Sequence, residues 1–215
     1  MNKIGFVSKL FKHQNPMLKN PIVWIDLEMT GLDLKKERII EISVICSDGN
    51  LEKIVEGPNV VINQPVELLN QMDEWCTNQH RKSGLTKAVL ESNITTKQAE
   101  KQVLDFIKTH IPQGVGVLAG NSIHMDKGKS KKTKMGFGLN VLEFLRKEMP
   151  DLLSYLHYRL IDVSTIKELS KRWFPEAFSS APKKNENHRA LDDIKDSITE
   201  LKYYRNTVFK KSTDS

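Results

Sequence analysis

Apolar residues occur along this chain in two rhythms. Short β-prone runs dominate up to about residue 62, and helix-period runs become frequent after about residue 95. Runs rich in Ile and Val at 22–27, 39–46, 53–62, 115–119 and 160–163 predict strands. Residues 97–110 predict a helix opened by a capping box from Thr95 to Gln98, and 166–173 predict another opened by Thr165 and Glu168. A further helix precedes Pro150. The last one places Leu191, Ile194, Ile198 and Leu201 on one side, at helical spacing. The pattern alone gives an α/β fold. A chain of 215 residues without a Pro-, Gly- or Ser-rich linker is sized for one domain with one core. It contains no internal repeat and no apolar stretch of membrane-spanning length.

The formal net charge of +6 suggests a polynucleotide-binding groove until it is located. Residues 1–20 hold four lysines and no acid, and residues 127–140 hold five lysines and no acid, so removing these nine leaves the remainder at −3. The body of the domain is therefore not basic, which argues against tight binding of long strands through phosphate neutralisation. Cys46 and Cys76 are too few for a disulfide framework or a zinc cluster, and a reducing compartment is the expectation.

Chemistry concentrates at Asp26 and Glu28 in the run PIVWIDLEMTGLD. In a strand, side chains at i and i+2 share a face, so the two carboxylates point the same way while Ile25 and Leu27 enter the opposite layer. Such a pair repels itself unless a cation sits between, and hard divalent ions take oxygen ligands of this kind. For a lone D-x-E a solvated strand face is the commoner explanation. Three further features favour chemistry: Asp126 after the run VGVLAGNSIHMD, Asp193 on the last helix beside the small residues Ala190 and Ser197, and His188 just ahead of that helix. His13, His80, His110, His124 and His157 lack partners at metal-ligand spacing and read as surface or structural residues.

The stretches WIDLEMTGLD, RIIEISVICSDGNL, MDEWC with SGL downstream, GNSIHMD, HYRLIDVSTIKELSKRW and HRALDDIKDSITELKYYR, in this order, make the chain resemble the oligoribonucleases, within the DEDDh group of 3′-to-5′ exonucleases. The resemblance implies a ribonuclease H-like fold, with a mixed sheet flanked by helices in a single domain over residues 21–211. It places the metal-binding acids at Asp26, Glu28, Asp126 and Asp193, two divalent ions (Mg²⁺ or Mn²⁺) among them, and the general base at His188. An ordinary imidazole titrates near neutrality, which suits that role. The implied substrate contacts are Leu32 as a wedge between bases, Trp75 as a stacking face, and Ser122, Arg159 and Ser164 around a 5′ phosphate. Tyr158 would reach across the interface of a homodimer. Read by residue type alone, Trp75 also fits a core position and Arg159 a surface ion pair. The implied activity is degradation of short oligoribonucleotides, dinucleotides especially, to 5′ mononucleotides by two-metal-ion hydrolysis.

Two rival readings stand beside this one: a proofreading or RNA-trimming exonuclease of the same group acting on longer strands, and a non-catalytic nucleic-acid-binding module. The N-terminal segment 1–20 is cationic, with Ile4, Val7, Leu10 and Phe11 on one helical side, and matches a mitochondrial targeting segment; a basic tail is the alternative. Met17 offers an internal start, so the expected location is mitochondrial, cytoplasmic or both. The chain departs from the family at about 128–140, a lysine-rich stretch with three glycines inserted after Asp126, which is either a loop beside the site or an error in the gene model.

Overall fold

The computed structural model describes residues 17–123, 141–183 and 189–210. In chain order the elements are β1 (Ile22–Met29), β2 (Ile39–Ser47), β3 (Ile54–Val61), α1 (Val66–Leu69), α2 (Glu74–Lys82), α3 (Leu85–Glu91) and α4 (Thr96–His110). There follow β4 (Val117–Gly120), α5 (Val141–Glu148), α6 (Pro150–Tyr155), β5 (His157–Asp162), α7 (Val163–Trp173), α8 (Pro175–Ser179) and α9 (Ala190–Thr207). The strands form one mixed sheet in the order β3-β2-β1-β4-β5. β1 pairs antiparallel with β2 and parallel with β4, so it lies at the centre, and β5 is an edge.

The period-2 pattern of β1 divides the interior in two. Val23, Ile25, Leu27 and Met29 enter a hydrocarbon core with Val103 and Ile107 of α4, Phe144 and Leu145 of α5, and Leu152 of α6. Ile22 and Trp24 face the other way, onto Val163 of α7 and Ile194 and Ile198 of α9. Trp24 donates its indole N–H to Ser47 Oγ at 3.0 Å, which satisfies the polar end of a fully buried ring. Leu18 is also buried in the first core, and the carbonyl of Lys19 accepts from the amide of Gly49, so the folded body includes residues 18 and 19.

Both sides of the expected capping box are present: the Gln98 amide donates to Thr95 Oγ1 at 3.3 Å, and the Thr95 amide to Gln98 Oε1 at 2.9 Å. Three elements start two or three residues away from the sequence expectation. β4 begins at Val117 because residues 112–115 turn, with Gly114 at φ 74. β5 begins at His157, three residues early, because its polar start lies at the sheet edge and carries no alternation for periodicity to detect. α7 begins at Val163 and is capped by Asp162, whose carboxylate accepts from the Ser164 amide at 2.9 Å, not by Thr165. Helices α1 to α3 and α6 and α8 are short, and their sequences offered too few turns to show a period.

Candidate active site

The site forms where the second face of β1 meets the start of α9. Asp26 and Glu28 stand on the Trp24 side, and the first turn of α9 brings Asp193 over them. One carboxylate oxygen from each of Asp26, Glu28 and Asp193 lies within 4.8 Å of the others. The small neighbours Ala190 and Ser197, both buried, allow this approach, and Ser197 Oγ donates back to the Asp193 carbonyl at 2.8 Å. The β1–β2 ladder has a register shift directly after Glu28, between it and Met29.

Burial, with Asp26, Asp193 and Glu41 nearby, pushes the Glu28 carboxyl well above the ordinary carboxylate range, and Arg189 offsets this only in part. The cluster therefore carries an electrostatic cost that a hard divalent cation would remove, and its donors are the oxygens such a cation takes. The donor set fits a divalent metal. Asp126 and His188 lie outside the described residues, as do His13, His124 and the 128–140 stretch.

A second layer supports these carboxylates. His80 is buried, and because a carbonyl can only accept, its Nε2–H donates to the Met29 carbonyl at 2.9 Å, which agrees with a structural role. Its other nitrogen lies 4.0 Å from Glu28 Oε2, a neighbourhood the sequence did not reveal. Glu41, fully buried on β2, stands opposite Glu28 in the ladder and is held by Arg189. Its signal was available in the sequence, since an acid inside the apolar run IIEISVI needs a cation from elsewhere.

The expected substrate contacts fall into two groups. Leu32, 59% exposed, tops the β1–β2 loop, which closes with the Thr30 amide donating to the Arg38 carbonyl at 3.0 Å. Trp75, 42% exposed at the start of α2, is not a core residue. In the second group, Asp162 Oδ1 gathers the Ser122 amide at 2.8 Å, the Ser164 amide at 2.9 Å and the Ser164 hydroxyl at 2.6 Å. Ser122 reaches it from a left-handed backbone at φ 61. Asp162 thus ties two of the expected phosphate contacts together, and the Asp-x-Ser pattern at a helix start was the sequence signal for it. The β4–β5 register skips between Val117 and Leu118, which leaves Tyr158 and Arg159 outside the ladder. Tyr158 is 80% exposed, stacks on the His157 ring, and accepts from Arg159 Nε at 3.2 Å. Cys46 and Cys76 are free and buried, their thiols pushed up to about 12 chiefly by burial, which makes them inert packing residues.

A family model described as exonuclease matches residues 23–201. The chain is 52% identical over 193 residues to the mitochondrial oligoribonuclease of Mus musculus, covering 90% of this chain and 75% of that protein. It is 48% identical over 195 residues to the oligoribonuclease of Haemophilus influenzae, covering 91% of this chain and 98% of that one. Among solved structures, a 3′-exonuclease studied with a histone mRNA stem-loop matches with a TM-score of 0.58 at 15% identity, over 89% of this chain and 84% of that one. Exonuclease I of Methylocaldum szegediense matches with a TM-score of 0.56 at 14% identity over 87% of this chain, which spans 41% of that longer one. Likeness at such identities shows the fold, a ribonuclease H-like exonuclease sheet.

Proposed function

The chain belongs to the oligoribonuclease family of exonucleases and is a 3′-to-5′ exoribonuclease, and from that premise we propose that its substrates are RNAs of two to a few nucleotides, dinucleotides above all. The observation that carries this reading is the convergence of the Asp26, Glu28 and Asp193 carboxylates within 4.8 Å. Together with Asp126 they would hold two divalent ions, Mg²⁺ or Mn²⁺, which when bound supply the charge that activates water and stabilises the leaving 3′ oxygen. His188 acts as general base and takes the proton of the attacking water. Leu32 separates the bases and Trp75 stacks on one of them, a contact that every base can make. Ser122, Arg159 and Ser164 bind the 5′ phosphate, with Asp162 holding the two serines in place. Closing over that phosphate sets the short length, in agreement with a domain body that is not basic.

The exonuclease domain covers about residues 21–211, with Leu18 and Lys19 packed against it, and 128–140 is an insertion relative to the family. The protein works as a homodimer in which Tyr158, exposed on the edge strand, contacts the partner's substrate. The N-terminal segment directs it to the mitochondrion, and a start at Met17 leaves a cytoplasmic form. No helix among the described residues is long and apolar enough to cross a membrane. Cleavage rates for 5′-phosphorylated RNA from a dinucleotide to a twenty-nucleotide strand, with Mg²⁺ and purified protein, test the reading. It expects the dinucleotide to be fastest, with 5′ mononucleotides as product. Equal rates across the series would favour the trimming nuclease.

A further inference from the structure

Glu41 is a buried acid beside the ligand set that nothing in the reaction uses. It is fully buried on β2, opposite Glu28, and Arg189 engages it through a fork: Nη2 donates to Oε1 at 2.5 Å, and Nε lies 3.1 Å from each oxygen. The same carboxylate accepts from the Ala190 amide at 3.4 Å, the first residue of α9. Arg189 is the N-cap of that helix and forms no side-chain capping bond, so the cap comes from a strand remote in sequence. One turn on, the Arg189 carbonyl accepts the amides of Asp192 at 2.9 Å and Asp193 at 3.0 Å. Arg189 therefore links β2, beside Glu28, to the backbone of Asp193, by its side chain at one end and its carbonyl at the other.

Beyond its first turn α9 is held by Ile194 and Ile198 against Trp24 and Ile22, and by polar contacts of Lys195 with Glu56 at 3.0 Å, Glu200 with Asn121 at 2.8 Å and Arg205 with Asn50 at 3.1 Å. The Glu41–Arg189 fork is the tie at the end of the helix that carries Asp193. A bidentate guanidinium–carboxylate pair fixes both distance and orientation. Its desolvation largely cancels its attraction, so its contribution is geometry more than stability.

We propose that Glu41 and Arg189 are positioning residues that set the first turn of α9 so that the Asp193 carboxylate meets those of Asp26 and Glu28. The proposal rests on reading that triad as a metal site. Outer-layer partners of this kind are worth about 10- to 100-fold in metal affinity or activity.

The test is Mn²⁺ binding to the purified, metal-stripped full chain by calorimetric titration, alongside thermal unfolding, for wild type, Arg189→Lys, the double variant Glu41→Met with Arg189→Met, and Asp193→Asn as reference. The apolar double variant replaces the ion pair without leaving a buried charge, so it should unfold within a few degrees of wild type. Its Mn²⁺ affinity should fall about 10- to 100-fold, and Arg189→Lys, which keeps the charge but loses the fork, should lie between the two. Dinucleotide turnover should show the loss in kcat more than in KM. Unchanged Mn²⁺ affinity in the double variant overturns the proposal, provided Asp193→Asn weakens binding. If Asp193→Asn also binds Mn²⁺ normally, the metal reading itself has failed. Failure of the double variant to fold also counts against the proposal, since the pair would then belong to the framework and not to the site.

Discussion

On one side of β1, Val23, Ile25, Leu27 and Met29 disappear into hydrocarbon from α4, α5 and α6; on the other, Trp24, Asp26 and Glu28 meet α9 along with Glu41 from the next strand. The same backbone serves both faces, separated only by the alternation of side chains. The first face lets the second exist, because a sheet already fixed by apolar burial can tolerate repelling carboxylates. Within the charged face the contrast repeats. Glu41 has its own guanidinium, while Glu28, directly opposite, is left with a raised carboxyl. Of two buried acids side by side, one is neutralised by the protein, and the proposed metal site gives the other a cation.

Substitution on the two faces should separate activity from stability most sharply. Asp26→Asn, Glu28→Gln or Asp193→Asn should abolish Mg²⁺-dependent dinucleotide cleavage while leaving the metal-free protein as stable as wild type or more so, because each relieves repulsion. Leu27→Ala on the hydrocarbon face should do the reverse, costing about 2–5 kcal/mol in denaturant unfolding with little change in kcat of the folded fraction. If Asp26→Asn retained near-normal cleavage, the division between the faces would collapse.

His188→Ala should lower turnover by about 10²- to 10⁴-fold with dinucleotide binding nearly intact, measured as separate kcat and Kd values. Equal losses in rate and binding would make the histidine a structural residue.

The electrostatic contrast predicts an unusual pH dependence. Below the ordinary carboxylate range, Glu28 is protonated in both folded and unfolded chains. As pH rises from there through its raised folded value, only the folded chain keeps the proton, so the stability of the metal-free protein falls across that window. Glu28→Gln should flatten the slope, and an unchanged slope would assign it to another group.

The smallest effect concerns the edge of the sheet. Asp162→Ala removes the carboxylate that joins Ser122 to Ser164, and with it the cap of α7, at a stability cost of about 1 kcal/mol. It should narrow the preference for dinucleotides over longer RNA more than it lowers the best rate. An unaltered length profile would detach these serines from the 5′ phosphate.

What the sequence revealed follows from where the information lies. β1 and the Asp26–Glu28 pair are written in eight consecutive residues, and the capping box of α4 in four, so local pattern suffices. The partnership of Glu41 with Arg189 joins residues 148 apart and has no local signature beyond an acid in an apolar run. β5 was read as starting three residues too late because its exposed, bulged start at the edge has no face to alternate against. Trp75 was open between stacking and packing, and its exposure excludes only the core position, since aromatic residues look alike in sequence whichever way they point.

The most direct test of a charged face reserved for a cation is the thermal unfolding of wild type and Glu28→Gln, each with and without saturating Mg²⁺. Metal-free wild type should melt below metal-free Glu28→Gln and rise on adding Mg²⁺, since a ligand that binds only the folded state raises its stability by mass action. The variant should respond little. A wild type that gains nothing from Mg²⁺, or a Glu28→Gln variant that gains just as much, would contradict it.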